Sequence, residues 1–217
     1  MLKHLKLTFV IMVFVGCAGP AAFEVKPEAD YDPALPDYYF VEQYPGNLNI
    51  VTRKDWGWEL LQAELEPHSI SRITLHHGGE DFPAERDVIQ YMRNLQSWSR
   101  SEKGWIDIPY HYMIDLTGKI YEARPLIYPG DTNTDYDPRG HALICVMGNY
   151  ENQILSETQL DAVIRLSAYL AQRFDVDPSL IKGHKDYTET LCPGKDFYRY
   201  IADGTIRDGV GELFEKN

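Results

Sequence analysis

Apolar positions along this chain recur in two rhythms, one of period two and one of about 3.6. Residues 70–76 read as a strand followed by small residues, and residues 84–98 place Val88, Ile89, Met92 and Leu95 on one helical face. Residues 110–115 and 119–123 form a hairpin pattern around LTGK, with Gly118 as the turn residue. The run ALICVM (142–147) is almost continuously apolar, which suits a central strand covered on both faces. Residues 156–174 give the clearest helix. Ser156 and Gln159 have capping-box spacing, and Leu160, Val163, Ile164, Ser167 and Leu170 mark an inner stripe. A short strand over 179–183 and a helix over 195–202 follow. Alternating helices and strands predict an α/β fold with a mixed central β-sheet flanked by helices.

The first sixteen residues break this pattern. Lys3 and Lys6 precede the apolar run LTFVIMVFVG, the layout of a secretory signal and too short for the ~20 apolar residues of a membrane span. FVGC resembles the lipobox of bacterial lipoproteins. That resemblance implies a signal peptide over 1–16, lipidation at Cys17, and an exported protein anchored to a bacterial membrane at the cell envelope, facing the periplasm or the outer surface. Ordinary secretion with cleavage near Ala21 or Ala22 is the alternative. Residues 17–49 carry five of the 13 prolines and no helical or strand period, so they read as a tether. Its tyrosines predict that its second half packs on the domain formed by residues 50–217.

The formal net charge is −12, and loss of Lys3 and Lys6 makes it more negative by two. Such acidity excludes a nucleic-acid surface and broad docking on anionic lipid heads, so the membrane would be reached through the lipid anchor only. The chain is expected to work as a monomer. With three cysteines in all, Cys17 assigned to lipid leaves Cys145 in the apolar strand and Cys192 in KGHKDYTETLCPG. A Cys145–Cys192 disulfide is formally open, but it would remove Cys192 from any site.

His76 in ITLHHGG, with His184 and Cys192, supplies two imidazoles and a thiolate, the donor types of a zinc site that keeps one position open for water. Seven residues separate His184 from Cys192, so a loop must bring them together. His77, next to His76 on a strand, points to the opposite face and reads as a packed residue.

The words around these residues are specific. VTRKDWGW (51–58), ITLHHGG (73–79), GWIDIPYHYMID (104–115), GKIYEARP (118–125), ALICVMGNY (142–150) and KGHKDYTETLCPG (182–194) follow one another in order. The chain resembles the type 2 N-acetylmuramoyl-L-alanine amidases, a family that includes phage amidase lysozymes and peptidoglycan recognition proteins. The resemblance implies the fold above, Zn2+ held by His76, His184 and Cys192, and peptidoglycan or muropeptides as partner. It also assigns Tyr110 beside the attacking water and Thr190 to the developing oxyanion. Relatives usually carry a His-bearing segment before the ALICVM strand. Here the stretch is YPGDTNTDYDPRGHA, whose Asp131, Asp135 and Asp137 with Arg139 read as a solvated loop, with a remodelled groove as the alternative.

The leading expectation is a zinc-dependent hydrolase of the amide between N-acetylmuramic acid and L-alanine. The alternatives are a wall-binding protein without catalysis, a zinc peptidase acting on stem peptides, and a thiol enzyme with Cys192 as nucleophile and His184 as base.

Overall fold

The computed structural model describes residues 44–63 and 65–215, and side chains as far as residue 213. The expected signal peptide, Cys17 and most of the tether lie outside the described residues.

Six strands form one sheet: β1 (Ile50–Val51), β2 (Arg72–His77), β3 (Tyr112–Ile114), β4 (Ile120–Glu122), β5 (His141–Val146) and β6 (Ile181–Gly183). Their order is β1-β4-β3-β5-β2-β6, antiparallel between β3 and β4 and parallel at every other pairing. All six residues of β5 are buried, which follows from its place inside the sheet with helices over both faces.

Side-chain alternation sorts the core into two halves. Ile73, Leu75, Ala142, Ile144 and Val146 join the cluster beneath α3 (Glu157–Phe174), together with Phe197 of α4 (Lys195–Ala202) and Ile206 and Val210 of α5 (Thr205–Glu215). Met113, Tyr121 and Cys145 join the opposite cluster with Met92 of α2 (Val88–Lys103) and Trp56 of α1 (Arg53–Trp56).

Helix boundaries follow local chemistry. α2 starts four residues later than periodicity suggests, because the Asp87 side chain accepts the Gln90 N–H and caps the helix there. Its end runs on to Lys103, where Gly104 takes the left-handed conformation. α3 starts as predicted, with the Ser156–Gln159 capping box formed. Its buried residues are Gln159, Ala162, Val163, Leu166, Ser167, Ala168, Leu170 and Ala171, while Leu160 and Ile164 are only partly buried flanks. Part of the predicted final strand is instead a 3-10 turn over Pro178–Leu180, capped by Asp177. Gly118 adopts φ +79° in the β3–β4 turn, and a Cβ there would sit 2.6 Å from Thr158 O, so both conformation and space call for glycine.

Of the tether's tyrosines, Tyr44 is within the described residues. Its hydroxyl donates to Glu122 Oε1 at 2.6 Å, and its ring packs against the α3-side core. Glu122 also accepts the Arg53 N–H at 2.9 Å, so this buried carboxylate ties the N-terminal segment to β4.

Candidate metal and active site

The parallel register of β2 and β6 creates the site. Leu75 pairs with Gly183, so the next residues, His76 and His184, leave adjacent strand ends side by side with ring centroids 4.6 Å apart. The chain then makes a 3-10 turn over His184–Asp186, in which the Asp186 carboxylate accepts the Gly183 N–H at 2.8 Å. The loop closes when Lys185 N–H donates to Cys192 O at 3.0 Å. Gly194 follows at φ +90°, where a Cβ would lie 2.4 Å from the Tyr150 carbonyl carbon. Only glycine lets the loop approach the β5–α3 connection this closely, and Cys192 is delivered to the histidines as a result.

Cys192 Sγ sits 3.6 Å from His76 Nδ1 and accepts the His77 backbone N–H at 3.4 Å. One donor atom each from His76, His184 and Cys192 lies within 4.8 Å of the others. Among the described residues no further His, Cys, Asp or Glu joins this cluster.

Electrostatics suit a cation. Burial holds His184 down to about 4 and His76 well below the ordinary imidazole range, so both rings are neutral near pH 7 with a lone pair to give. Burial pushes the Cys192 thiol up to about 12, partly offset by the His77 N–H. A thiol so placed keeps its proton unless a positive charge replaces it, which a divalent metal does and a neutral imidazole does not. The donor set therefore fits a zinc ion, and the same numbers weigh against Cys192 as a free thiolate nucleophile.

Tyr110 lies beside the cluster, its ring 5.1 Å from that of His76. Burial and the nearby Cys145 and Cys192 hold its phenol well above the ordinary range, so it is a proton holder rather than a base. The Thr190 hydroxyl oxygen accepts the Cys192 N–H at 3.2 Å, which gives it a part in shaping the ligand loop. Cys145 is fully buried opposite His76 in the β2–β5 register and free of any disulfide.

Three further histidines of the described residues bind backbone groups. His77 accepts the Tyr150 N–H at Nδ1, 3.2 Å away. His68 bridges Gly140 N–H and Leu126 O, and His111 bridges Leu143 N–H and Tyr128 O.

Residues 131–137 correct the expectation of a merely solvated loop. Asp131 is held by the buried Arg124, and Asp137 pairs with Arg139 at the surface. Between them, Thr134 Oγ1 lies 2.8 Å from His184 Nε2 and Tyr136 OH 3.4 Å from His76 Nε2. No spacing rule joins these residues to the histidines fifty or more positions away, so sequence reasoning had no signal for them.

Comparison with known proteins places this arrangement. Mouse peptidoglycan recognition protein 1 is 29% identical over 163 residues, covering 70% of this chain and 85% of its own. Peptidoglycan-recognition protein SD of Drosophila simulans is 28% identical over 162 residues, covering 72% and 86%. The crystal structure of Drosophila recognition protein SD superimposes with a TM-score of 0.63 at 28% identity, covering 70% of this chain and 92% of that one. The amidase LysC of Clostridium intestinale shares the fold, with a TM-score of 0.58 at 23% identity over 72% of this chain and 97% of its own. The profile of the N-acetylmuramoyl-L-alanine amidases matches residues 66–195. With most of its folded domain inside that match, this chain belongs to the N-acetylmuramoyl-L-alanine amidase family (Amidase_2).

Proposed function

We propose that this protein is a zinc-dependent N-acetylmuramoyl-L-alanine amidase, hydrolysing the amide between N-acetylmuramic acid and L-alanine in peptidoglycan or its muropeptide fragments. The observation that carries the reading is the convergence of His76, His184 and Cys192 with both imidazoles neutral and the thiol in need of a cation. Zinc held there supplies Lewis acidity for the amide carbonyl and makes water acidic enough to attack near neutral pH.

The chain's own groups do the rest. Tyr110 keeps its phenolic proton, so it orients the attacking water or hands a proton to the departing amine. The Thr190 oxygen is occupied by the Cys192 N–H, while its hydroxyl hydrogen is available to a developing oxyanion. A neutral hydroxyl supports that charge less than an ammonium would.

The second reading, recognition without hydrolysis, is favoured by the relatives' names and by the structure of a recognition-protein ectodomain complex that holds tracheal cytotoxin. The complete three-donor set with Tyr110 beside it favours catalysis here. Digesting purified sacculi with the zinc-loaded protein and reading the products by mass spectrometry separates the readings. New L-alanine amino termini are expected. Binding without release supports the recognition reading, and new amines within the stem peptide mean a peptidase.

The lipobox resemblance supports export, lipidation at Cys17 and action at the cell envelope. Cys17→Ala is expected to move the protein from the membrane to the soluble exported fraction. An unchanged membrane fraction rules the anchor out.

A further inference from the structure

Each imidazole of the cluster meets a hydroxyl at Nε2, and both hydroxyls come from one short segment. Thr134 meets His184 at 2.8 Å and Tyr136 meets His76 at 3.4 Å. The segment is held from below. Arg124, fully buried, donates to the carbonyls of Asp107, Ile108 and Pro129 and to the Asp131 carboxylate. Asp131 N–H donates to Pro109 O at 3.2 Å. Above this base, Thr132 Oγ1 accepts the Thr134 N–H at 3.1 Å and lies 2.7 Å from the Thr134 hydroxyl. Tyr136 is packed between the rings of His184 and Tyr187, with centroids 4.9 and 5.7 Å away.

The contacts allow an arrangement that leaves Nδ1 of each ring free. If Thr132 Oγ1 takes the Thr134 hydroxyl proton as well as its N–H, the Thr134 oxygen has lone pairs left to accept from His184 Nε2–H. His184 then carries its proton on Nε2, and its lone pair is on Nδ1. Tyr136 offers the same choice to His76, whose Nδ1 is the atom 3.6 Å from Cys192 Sγ.

We propose that residues 131–136 form a clamp that sets both imidazoles as Nε2–H tautomers, with Thr134 positioning His184 and Tyr136 positioning His76 for a metal bound through Nδ1. The proposal rests on the metal reading of the three-donor cluster. Outer partners of this kind typically change metal affinity 10–100-fold.

Two measurements test it. Long-range 1H–15N correlation spectra of the metal-free wild-type protein should show His184 and His76 protonated at Nε2; protonation at Nδ1 overturns the clamp. Zinc affinity, read by competition with a chromophoric chelator, should fall about 10–100-fold in Thr134→Val. Thr134→Ser should recover most of the loss, because it restores the hydroxyl. Tyr136→Phe should lose less, its contact being longer. Wild-type affinity in a folded Thr134→Val protein overturns the proposal, and if that variant does not fold, the wild-type spectra decide. A wild-type protein that binds no zinc refutes the metal reading instead, with the tautomers still readable.

Discussion

At the scale of the residue, the site is governed by what burial does to groups that would otherwise titrate near neutrality. His76 and His184 lose their charge because the folded chain removes their water, and Cys192 keeps its proton for the same reason. Tyr110 belongs to this set, since burial raises its phenol well above the ordinary range and it keeps its proton near neutral pH. Tyr110→Phe keeps the ring, the packing and all three donors while deleting one O–H. Hydrolysis is expected to slow by about 10²–10⁴-fold, the range for losing a positioned proton donor, with bound zinc unchanged by elemental analysis. An unchanged rate would take Tyr110 out of the chemistry.

Elements deliver these residues. β2 and β6 are parallel neighbours, so their ends open at the same edge of the sheet, and the Leu75–Gly183 register brings His76 beside His184. The helix behind this edge depends on its cap: Ser156 Oγ accepts the Gln159 N–H at 3.2 Å, and the Gln159 side chain accepts back from Ser156 N–H. Ser156→Ala should lower stability by about 1 kcal/mol, the usual cost of a lost N-cap, measured by denaturant midpoint. Metal affinity should be unchanged, because α3 contributes no donor to the cluster.

For the whole molecule, buried neutral histidines make stability depend on pH. His111 is fully enclosed, accepting Leu143 N–H at Nδ1 and donating from Nε2 to Tyr128 O, and burial lowers it to about 3. His141 is lowered to about 4, also chiefly by burial. In the unfolded chain both titrate near 6.5. As pH falls below that value the unfolded state takes up protons that the folded state refuses, so stability is full above about 6.5 and declines toward pH 4. Each such histidine contributes a slope of up to about 1.4 kcal/mol per pH unit. Thermal unfolding between pH 7 and 5 should show the midpoint dropping with acid. A flat profile across that window would contradict neutral burial of His111.

Much of this protein was legible without coordinates, because periodic apolar positions report which side of an element faces the core. The fully covered β5, the capping box of α3, the hairpin around Gly118 and the place of His77 outside the three-donor cluster are local consequences of local residues. The grouping of His76, His184 and Cys192 was legible too, through the motif words around them. Other features required the fold. A strand register set the two histidines side by side, and a glycine at the Tyr150 backbone let the ligand loop close. A buried arginine raised Thr134 and Tyr136 onto rings fifty and sixty residues distant. These contacts are long-range, and no pattern along the chain encodes a distance across a sheet edge. The chain's own residues chose the elements; packing chose which of their side chains meet.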